Sequence, residues 1–191
     1  MPDHKHFKLY KPAGYLSQFV YNERRRRNKK LLSDLGDFPD GLMSVGRLDE
    51  KSEGLLFLTT DGRTSHKVRS KSVEKEYYVQ LDGIITEDAV VLLEKGVEIT
   101  IDKEKYSTLP SKTFILTEEP NLPQAPRKRG ENHGPTSWIS ITITEGKFRQ
   151  VRRMTAAVGF PTIRLVRVRI GQEKLENLLP GESIQVSRYK L

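Results

Sequence analysis

The sequence predicts an α+β fold in which a mixed, mostly antiparallel sheet is flanked by helices. Short β-prone segments separated by turn residues recur along the chain, and only two longer segments have helical spacing and helical end signals. The chain has 191 residues and no cysteine. It is therefore long enough to bury a core, while disulfide frameworks, zinc fingers and thiol chemistry are excluded.

Nine strands are predicted from the β-prone segments. The first two lie on either side of the turn Lys11-Pro12-Ala13-Gly14. In the seventh, isoleucine at every second position alternates with serine and threonine, which predicts a strand with one buried face. The predicted strands are residues 7–10, 15–20, 45–48, 55–60, 73–81, 112–117, 138–144, 163–170 and 183–187.

Two helices and one helical turn complete the predicted elements. The first helix covers residues 86–94, with Thr86 as its N-cap and Gly96 just past its end. The second begins at residues 146–147 and ends near residue 158, before a glycine and a proline. One helical turn is expected near residues 31–35. The Pro-rich stretch 118–136 is a long loop, which is often functional in a compact domain.

Positive charge is concentrated in three segments, residues 24–30, 127–129 and 147–169. The formal net charge is +8, and the run at 24–30 has six cations and no acid. Residues 147–169 hold seven cations and no carboxylate, whereas residues 81–104 hold seven acids and two lysines. This separation favours a groove for a phosphate backbone, with a solvated loop as the alternative for any single run. The cations of the two loop clusters are Arg24, Arg25, Arg26, Arg27, Lys29, Lys30, Arg127, Lys128 and Arg129.

Asp49 is the first candidate for chemistry. It lies in a loop between two β-prone segments, with Gly46 and Gly54 on either side. A calcium loop is excluded, because its third and twelfth positions would be Lys51 and Thr60. An ordinary turn, in which the aspartate bonds its own backbone, remains the alternative.

Lys147 is the second candidate. In the predicted helix it shares an apolar stripe with Val151 and Met154, so its side chain is expected to point into the interior or a cleft. A buried lysine needs a carboxylate partner, and Asp49 is a plausible one. The alternative is a solvated basic helix from which Lys147 reaches water. The arginines at 149, 152 and 153 project from other faces and could meet phosphates.

Three ordered motifs resemble the signatures of one enzyme family. Gly46-Arg47-Leu48-Asp49 with SEGLLFLTTDG at 52–62 resembles the first signature of the bacterial rRNA pseudouridine synthases of the RsuA/RluE type. Lys75-Glu76-Tyr77 resembles the second, and EGKFRQVRRM at 145–154 the third. KPAGYLSQF at 11–19 and LLPGE at 178–182 are also family-like. The likeness extends over nearly the whole chain and is greatest to the RluE branch, which modifies large-subunit (23S) rRNA.

The resemblance implies isomerisation of an rRNA uridine to pseudouridine, without cofactor or metal. Asp49 would be the essential carboxylate, Tyr77 would pack on the base, and Lys147 would keep Asp49 ionised. The target base must leave its helix, and Arg47 is placed to fill the vacated space or hold the backbone. Further RNA-binding candidates are Leu165 in the uracil pocket, Arg149, Gln150, Arg152 and Arg153 on the backbone, and the two basic loops.

The family likeness also implies one catalytic domain over residues 1–191, with approximate lobes 1–65 and 66–191 around a central cleft. The S4 RNA-binding module of many relatives is not expected. Lys147 stands where some relatives have arginine; both can pair with an aspartate, but only arginine can do so through a planar bidentate fork. The sequence contains no apolar run for a membrane span and no evident signal peptide. We expect a cytoplasmic monomer that acts on 23S rRNA or on a large-subunit assembly intermediate.

Two other functions fit part of the sequence. A non-catalytic rRNA-binding assembly factor would explain the charge, although it gives Asp49 and Tyr77 no role in their motifs. A nucleoside or glycosidic hydrolase would release free uracil, but such enzymes usually deploy two carboxylates and only one acid is well placed.

Overall fold

The computed structural model describes residues 4–21, 28–70, 72–125 and 133–191. The chain divides into two compact units, Met1–Val73 with Val166–Leu191 and Glu74–Leu165. The C-terminal 26 residues thus pack with the N-terminal segment, whereas the expected lobes placed them with the second part of the chain. Strands and helices are mixed along the sequence, which confirms the predicted α+β class.

The first unit is built on a sheet whose neighbours are distant in sequence. Strand β1 (His6–Lys11) pairs antiparallel with β3 (Glu53–Thr59) on one side and with β11 (Ser183–Val186) on the other. The end of β9 (Thr162–Ile170) pairs parallel with the start of β3. The remaining elements of this unit are β2 (Met43–Ser44), α1 (Gly62–Val68), β10 (Glu173–Lys174) and a 3-10 turn at Leu32–Leu35.

An apolar cluster covers the sheet of the first unit. Leu9 of β1 and Leu56 and Leu58 of β3 pack with Leu32 of the 3-10 turn and with Leu42. All residues of β3 are buried, so this strand is covered on both faces. Its unbroken apolar run LLFL is the pattern expected of such a strand. Two segments predicted as strands, 15–20 and 45–48, are irregular apart from an isolated bridge between Tyr15 and Lys30, so those predictions were wrong.

Gly54 allows β3 and β9 to approach closely at the end of the loop that carries Asp49. A Cβ atom at this position would lie 2.3 Å from the carbonyl oxygen of Arg167, and the backbone has a φ of +108°. We expect Gly54→Ala to lower the free energy of unfolding in urea by at least about 2 kcal/mol. Gly62→Ala is the control, because its Cβ would meet nothing within 4 Å. Equal stability of the two variants would contradict this account of Gly54.

The second unit contains the longest antiparallel pair. Strand β4 (Lys75–Asp82) pairs along its whole length with β8 (Thr136–Ile143), which pairs on its other side with β7 (Lys112–Leu116). Helix α2 (Glu87–Lys95) has Thr86 as N-cap and Gly96 as C-cap, as predicted. The remaining elements are the hairpin β5 (Glu98–Ile101) and β6 (Glu104–Ser107), helix α3 (Gln150–Ala157) and the beginning of β9.

Strand β8 corrects the prediction of one buried and one open face. Ile139, Ile141 and Ile143 are buried, but so are Ser140 and Thr142 on the other face. The hydroxyl of Ser140 donates to a carboxylate oxygen of Glu76 on β4 at 2.9 Å. Small polar residues are thus compatible with burial on this face because they find partners there. Among the described residues, no helix combines the length and apolar character needed to cross a bilayer.

Candidate active site

The predicted site residues are divided between the two units. Asp49, Arg47, Lys29 and Lys30 belong to the first. The second unit holds Tyr77, Lys147, Arg149, Gln150, Arg152, Arg153 and Leu165. The remaining members of the two basic loops, Arg24, Arg25, Arg26, Arg27, Arg127, Lys128 and Arg129, lie outside the described residues.

Asp49 lies in a tight turn between β2 and β3. Gly46 enters the turn with a φ of +69°, a conformation that glycine adopts without strain. The backbone N–H of Ser52 donates to the carbonyl of Asp49 at 3.0 Å and closes the turn. The Asp49 side chain is partly buried and that of Arg47 is exposed. The turn therefore keeps Asp49 between the protein interior and solvent.

The backbone on both sides of Asp49 is held by the segment that follows β1. The buried Ser17 hydroxyl accepts from the N–H of Leu48 at 2.9 Å and donates to its carbonyl at 2.8 Å. The N–H of Gly14 donates to the carbonyl of Glu50 at 2.6 Å. Because the residues before and after it are both fixed, Asp49 has a defined backbone position, as expected of a group that must meet a substrate in one geometry.

The end of the first basic loop contacts the same turn. The Lys29 ammonium lies 2.9 Å from a carboxylate oxygen of Glu50, and the Lys30 ammonium lies 5.3 Å from the ring centroid of Tyr15. The N–H of Leu16 donates to the carbonyl of Lys30 at 2.9 Å. Lys29 therefore contacts the Asp49 turn, and Lys30 contacts the segment after β1 that holds this turn.

Lys11 is a buried lysine at the end of β1, beside the same turn. Its ammonium donates to the carbonyl of Pro12 at 2.8 Å, and its side chain is fully buried. Burial lowers the pKa of Lys11 to about 7, although the negative charges of Glu53, Asp49 and Glu50 each raise it part of the way back. The first unit thus places a titratable amine in the electrostatic field of Asp49.

Tyr77 and Leu165 are buried in the second unit. Tyr77 lies on β4 opposite Ile141 of β8, with 9% of its surface exposed, and Leu165 lies on β9 with 5% exposed. Lys75, two residues before Tyr77, is buried, and its ammonium donates to the carbonyl of Thr144 at 3.2 Å. This lysine is one contact between β4 and the residues that follow β8.

A buried glutamate organises the third signature. Glu145 accepts from the Tyr106 hydroxyl at 2.6 Å and from the N–H of Leu109 at 2.8 Å. It also accepts from the side-chain amide of Gln150, whose carbonyl oxygen accepts from the N–H of Lys147 at 3.0 Å. The hydrogen bond to Glu145 raises the pKa of Tyr106. Residues 145 and 150 are thus buried anchors at the two ends of a short loop.

The position of Lys147 differs from the prediction. Helix α3 begins at Gln150, so Lys147 precedes the helix and does not extend its apolar stripe. Its side chain is exposed, with the ammonium 4.7 Å from the ring centroid of Tyr106. The buried residues of the stripe, Val151 and Met154, are as expected. The helix starts late because Arg149 adopts a left-handed conformation with a φ of +53°, which local spacing does not reveal.

The cationic residues of the third signature differ in exposure. Arg149 is exposed, and Arg152 and Arg153 are partly exposed. The guanidinium of Arg152 donates to the carbonyl of Thr162 at 3.4 Å. Gln150, predicted to bind RNA backbone, is 3% exposed. Its side-chain amide is hydrogen-bonded to the Glu145 carboxylate and to the backbone N–H of Lys147. Gln150 therefore supports the loop, and the arginines present the charge.

Lys11, Ser17 and Glu145, which support the candidate residues in the folded chain, are not predicted from the sequence. The only local signal was the polar character of Glu145 and Gln150 at the two ends of the motif. Lys11 and Ser17 meet the Asp49 turn only in the folded chain. Among the residues described, no group of three or more His, Asp or Glu side chains is arranged to hold a metal ion.

Comparison with known proteins gives consistent matches. The family described as RNA pseudouridylate synthase matches residues 5–157. The chain is 42% identical over 175 residues to the ribosomal large subunit pseudouridine synthase E of Xanthomonas axonopodis pv. citri, covering 90% of this chain and 88% of the relative. It is also 42% identical to the protein of the same name from Vibrio vulnificus, covering 93% and 73%. A solved pseudouridylate synthase structure superimposes with a TM-score of 0.76 at 30% identity, covering 97% of this chain and 71% of that one.

Proposed function

Because the chain belongs to the RNA pseudouridylate synthase family, we propose that it isomerises one uridine of large-subunit (23S) rRNA to pseudouridine. The names of the relatives support this substrate. The observation that carries the proposal is the Asp49 turn, in which Ser17 and Gly14 fix the backbone on both sides of the one acid that the family signature requires. An rRNA substrate also implies a cytoplasmic enzyme.

The reaction breaks the bond between N1 and the ribose, turns the uracil and joins C5 to the same ribose carbon. Asp49 would attack the ribose, deprotonate it or add to the uracil, and each of these steps starts from an ionised carboxylate. Tyr77 would pack on the uracil, and Leu165 would line its pocket. Lys147 would supply positive charge that favours the ionised form of Asp49. Their positions in the family signatures support these roles.

RNA would be held by the cations of the signature and the loops. Arg149, Arg152 and Arg153 present charge around the start of α3, and Arg47 is exposed beside Asp49. The target uridine would be turned out of its helix, and Arg47 would occupy the space or hold the backbone. Lys29 and Lys30 would bind phosphates next to the Asp49 turn.

Release of tritium from uridine C5 tests the proposal, because joining C5 to the ribose displaces the C5 hydrogen. The substrate is a large-subunit rRNA transcript made with tritium at C5, alone and reconstituted with ribosomal proteins. We expect release to approach one tritium per transcript with at least one of the two substrates. Bound RNA without release from either would instead support an assembly factor, and release of free uracil would support a hydrolase.

A further inference from the structure

Phe148 is an exposed aromatic side chain in the third signature that none of the proposed roles uses. It is 60% exposed, and its neighbours Lys147 and Arg149 are exposed cations. The guanidinium carbon of Arg153 lies 5.4 Å from the centroid of its ring. One accessible aromatic ring thus lies against the guanidinium of Arg153 and is flanked in sequence by two exposed cations. Exposing a phenylalanine forgoes the stabilisation that its burial would give.

The exposure of Phe148 is fixed by its surroundings. Glu145 and Gln150 are 4% and 3% exposed and hydrogen-bond each other. Gln150 also accepts from the backbone N–H of Lys147, directly before the phenylalanine. Arg149, directly after it, has a left-handed backbone, which a non-glycine residue adopts only when its surroundings hold it. Phe148 is thus the tip of a loop anchored at both ends.

An accessible ring among cations matches the chemistry of an unstacked nucleotide. A base offers a flat π-face to the ring, and its phosphates offer negative charge to the cations. A guanidinium against an aromatic ring is itself favourable, so Arg153 can support the ring while it binds a base. A purely apolar partner would not explain the three cations, and a purely ionic partner would not explain the phenylalanine.

We propose that Phe148 is a stacking platform for one unpaired base of the RNA substrate, with Arg149 binding an adjoining phosphate. The inference deepens the proposed function, on which it rests for RNA as the substrate. Base stacking on an aromatic side chain contributes roughly 5- to 150-fold to affinity. Phe148 is therefore a determinant of RNA affinity that requires no part in bond making.

The test is binding of the full chain to two labelled strands. One is a short oligouridine, and the other has the same sugar-phosphate backbone without bases. We expect Phe148→Ala to weaken oligouridine binding by roughly 5- to 150-fold and to leave binding of the abasic strand unchanged. Phe148→Tyr should retain the affinity for oligouridine, and Phe148→Leu should lose it. Phe114→Ala is the matched control, because Phe114 is 53% exposed in the same unit.

Three results would overturn the proposal. These are equal losses for Phe148→Ala and Phe114→Ala, full affinity in Phe148→Leu, and a wild-type protein that does not prefer oligouridine to the abasic strand. Unfolding in urea checks that each variant is folded. Because binding needs no turnover, these results are separate from the tritium assay. Tritium release by the wild type together with any of these three results would reject the stacking role and keep the synthase function.

Discussion

Replacement of Asp49 by asparagine is expected to lower tritium release from uridine C5 by at least about 10³-fold. Asparagine has nearly the same shape but no ionisable carboxylate, and each candidate role of Asp49 needs the ionised group. The turn should keep its backbone, because the Ser17 hydroxyl and the Gly14 N–H bind main-chain atoms of Leu48 and Glu50 and not the Asp49 side chain. RNA binding and the free energy of unfolding should therefore change little.

Glu50→Gln is the matched control for this substitution. Glu50 follows Asp49 in the same turn, but its carboxylate pairs with Lys29 at the surface. An exposed ion pair of this kind contributes little stability, so we expect turnover within a few-fold of wild type. If Asp49→Asn retained turnover, or if Glu50→Gln lost as much, Asp49 would not be the essential carboxylate. Single-turnover rates with saturating enzyme separate the chemical step from RNA binding.

The elements that the sequence predicts well are those with local end signals or long apolar runs. Helix α2 has its Thr86 cap and its Gly96 terminus within one short segment, and β3 carries an unbroken apolar run. The pairing of β1 with β11 has no such local signal, because the two strands are separated by nearly the whole chain. That pairing accounts for the C-terminal residues joining the first unit, which no local pattern indicates.

The candidate site shows the same division between local and distant information. The Asp49 loop could be found because its glycines and flanking apolar segments are neighbours in sequence. Helical periodicity misplaces Lys147 because it does not reveal the left-handed backbone of Arg149, after which the helix starts three residues later than predicted. The sequence places Lys11 in a turn. Its lowered pKa depends on its burial in the folded chain and on the nearby charges of Glu53, Arg167 and Asp49.

The burial of Lys11 should give the protein a stability that rises with pH above neutrality. Its pKa is about 7 in the folded chain, compared with 10.5 for an ordinary lysine. Between these values the unfolded chain carries the proton and the folded chain does not, so unfolding takes up a proton and becomes less favourable as pH rises. Below about pH 7 both states are charged, and the full cost of burying the ammonium is present.

We expect the free energy of unfolding to increase from about pH 7 to about pH 9 by up to about 1.4 kcal/mol per pH unit. Lys11→Met should abolish that increase, because it removes the titrating amine from a site of similar shape. Lys51→Met is the control, since it removes a lysine from the exposed surface of the Asp49 loop. Urea unfolding of all three proteins at several pH values measures the slopes.

The upper limit of this pH range is set by Tyr189. Burial raises the pKa of Tyr189, so near pH 10 the unfolded tyrosine loses its proton while the folded one keeps it. Stability would then fall with pH and oppose the effect of Lys11. A flat wild-type profile below that limit, or a slope that persists in Lys11→Met, would show that Lys11 keeps its charge in the folded protein well above pH 7. A flat wild-type profile contradicts the prediction even if Lys11→Met does not fold.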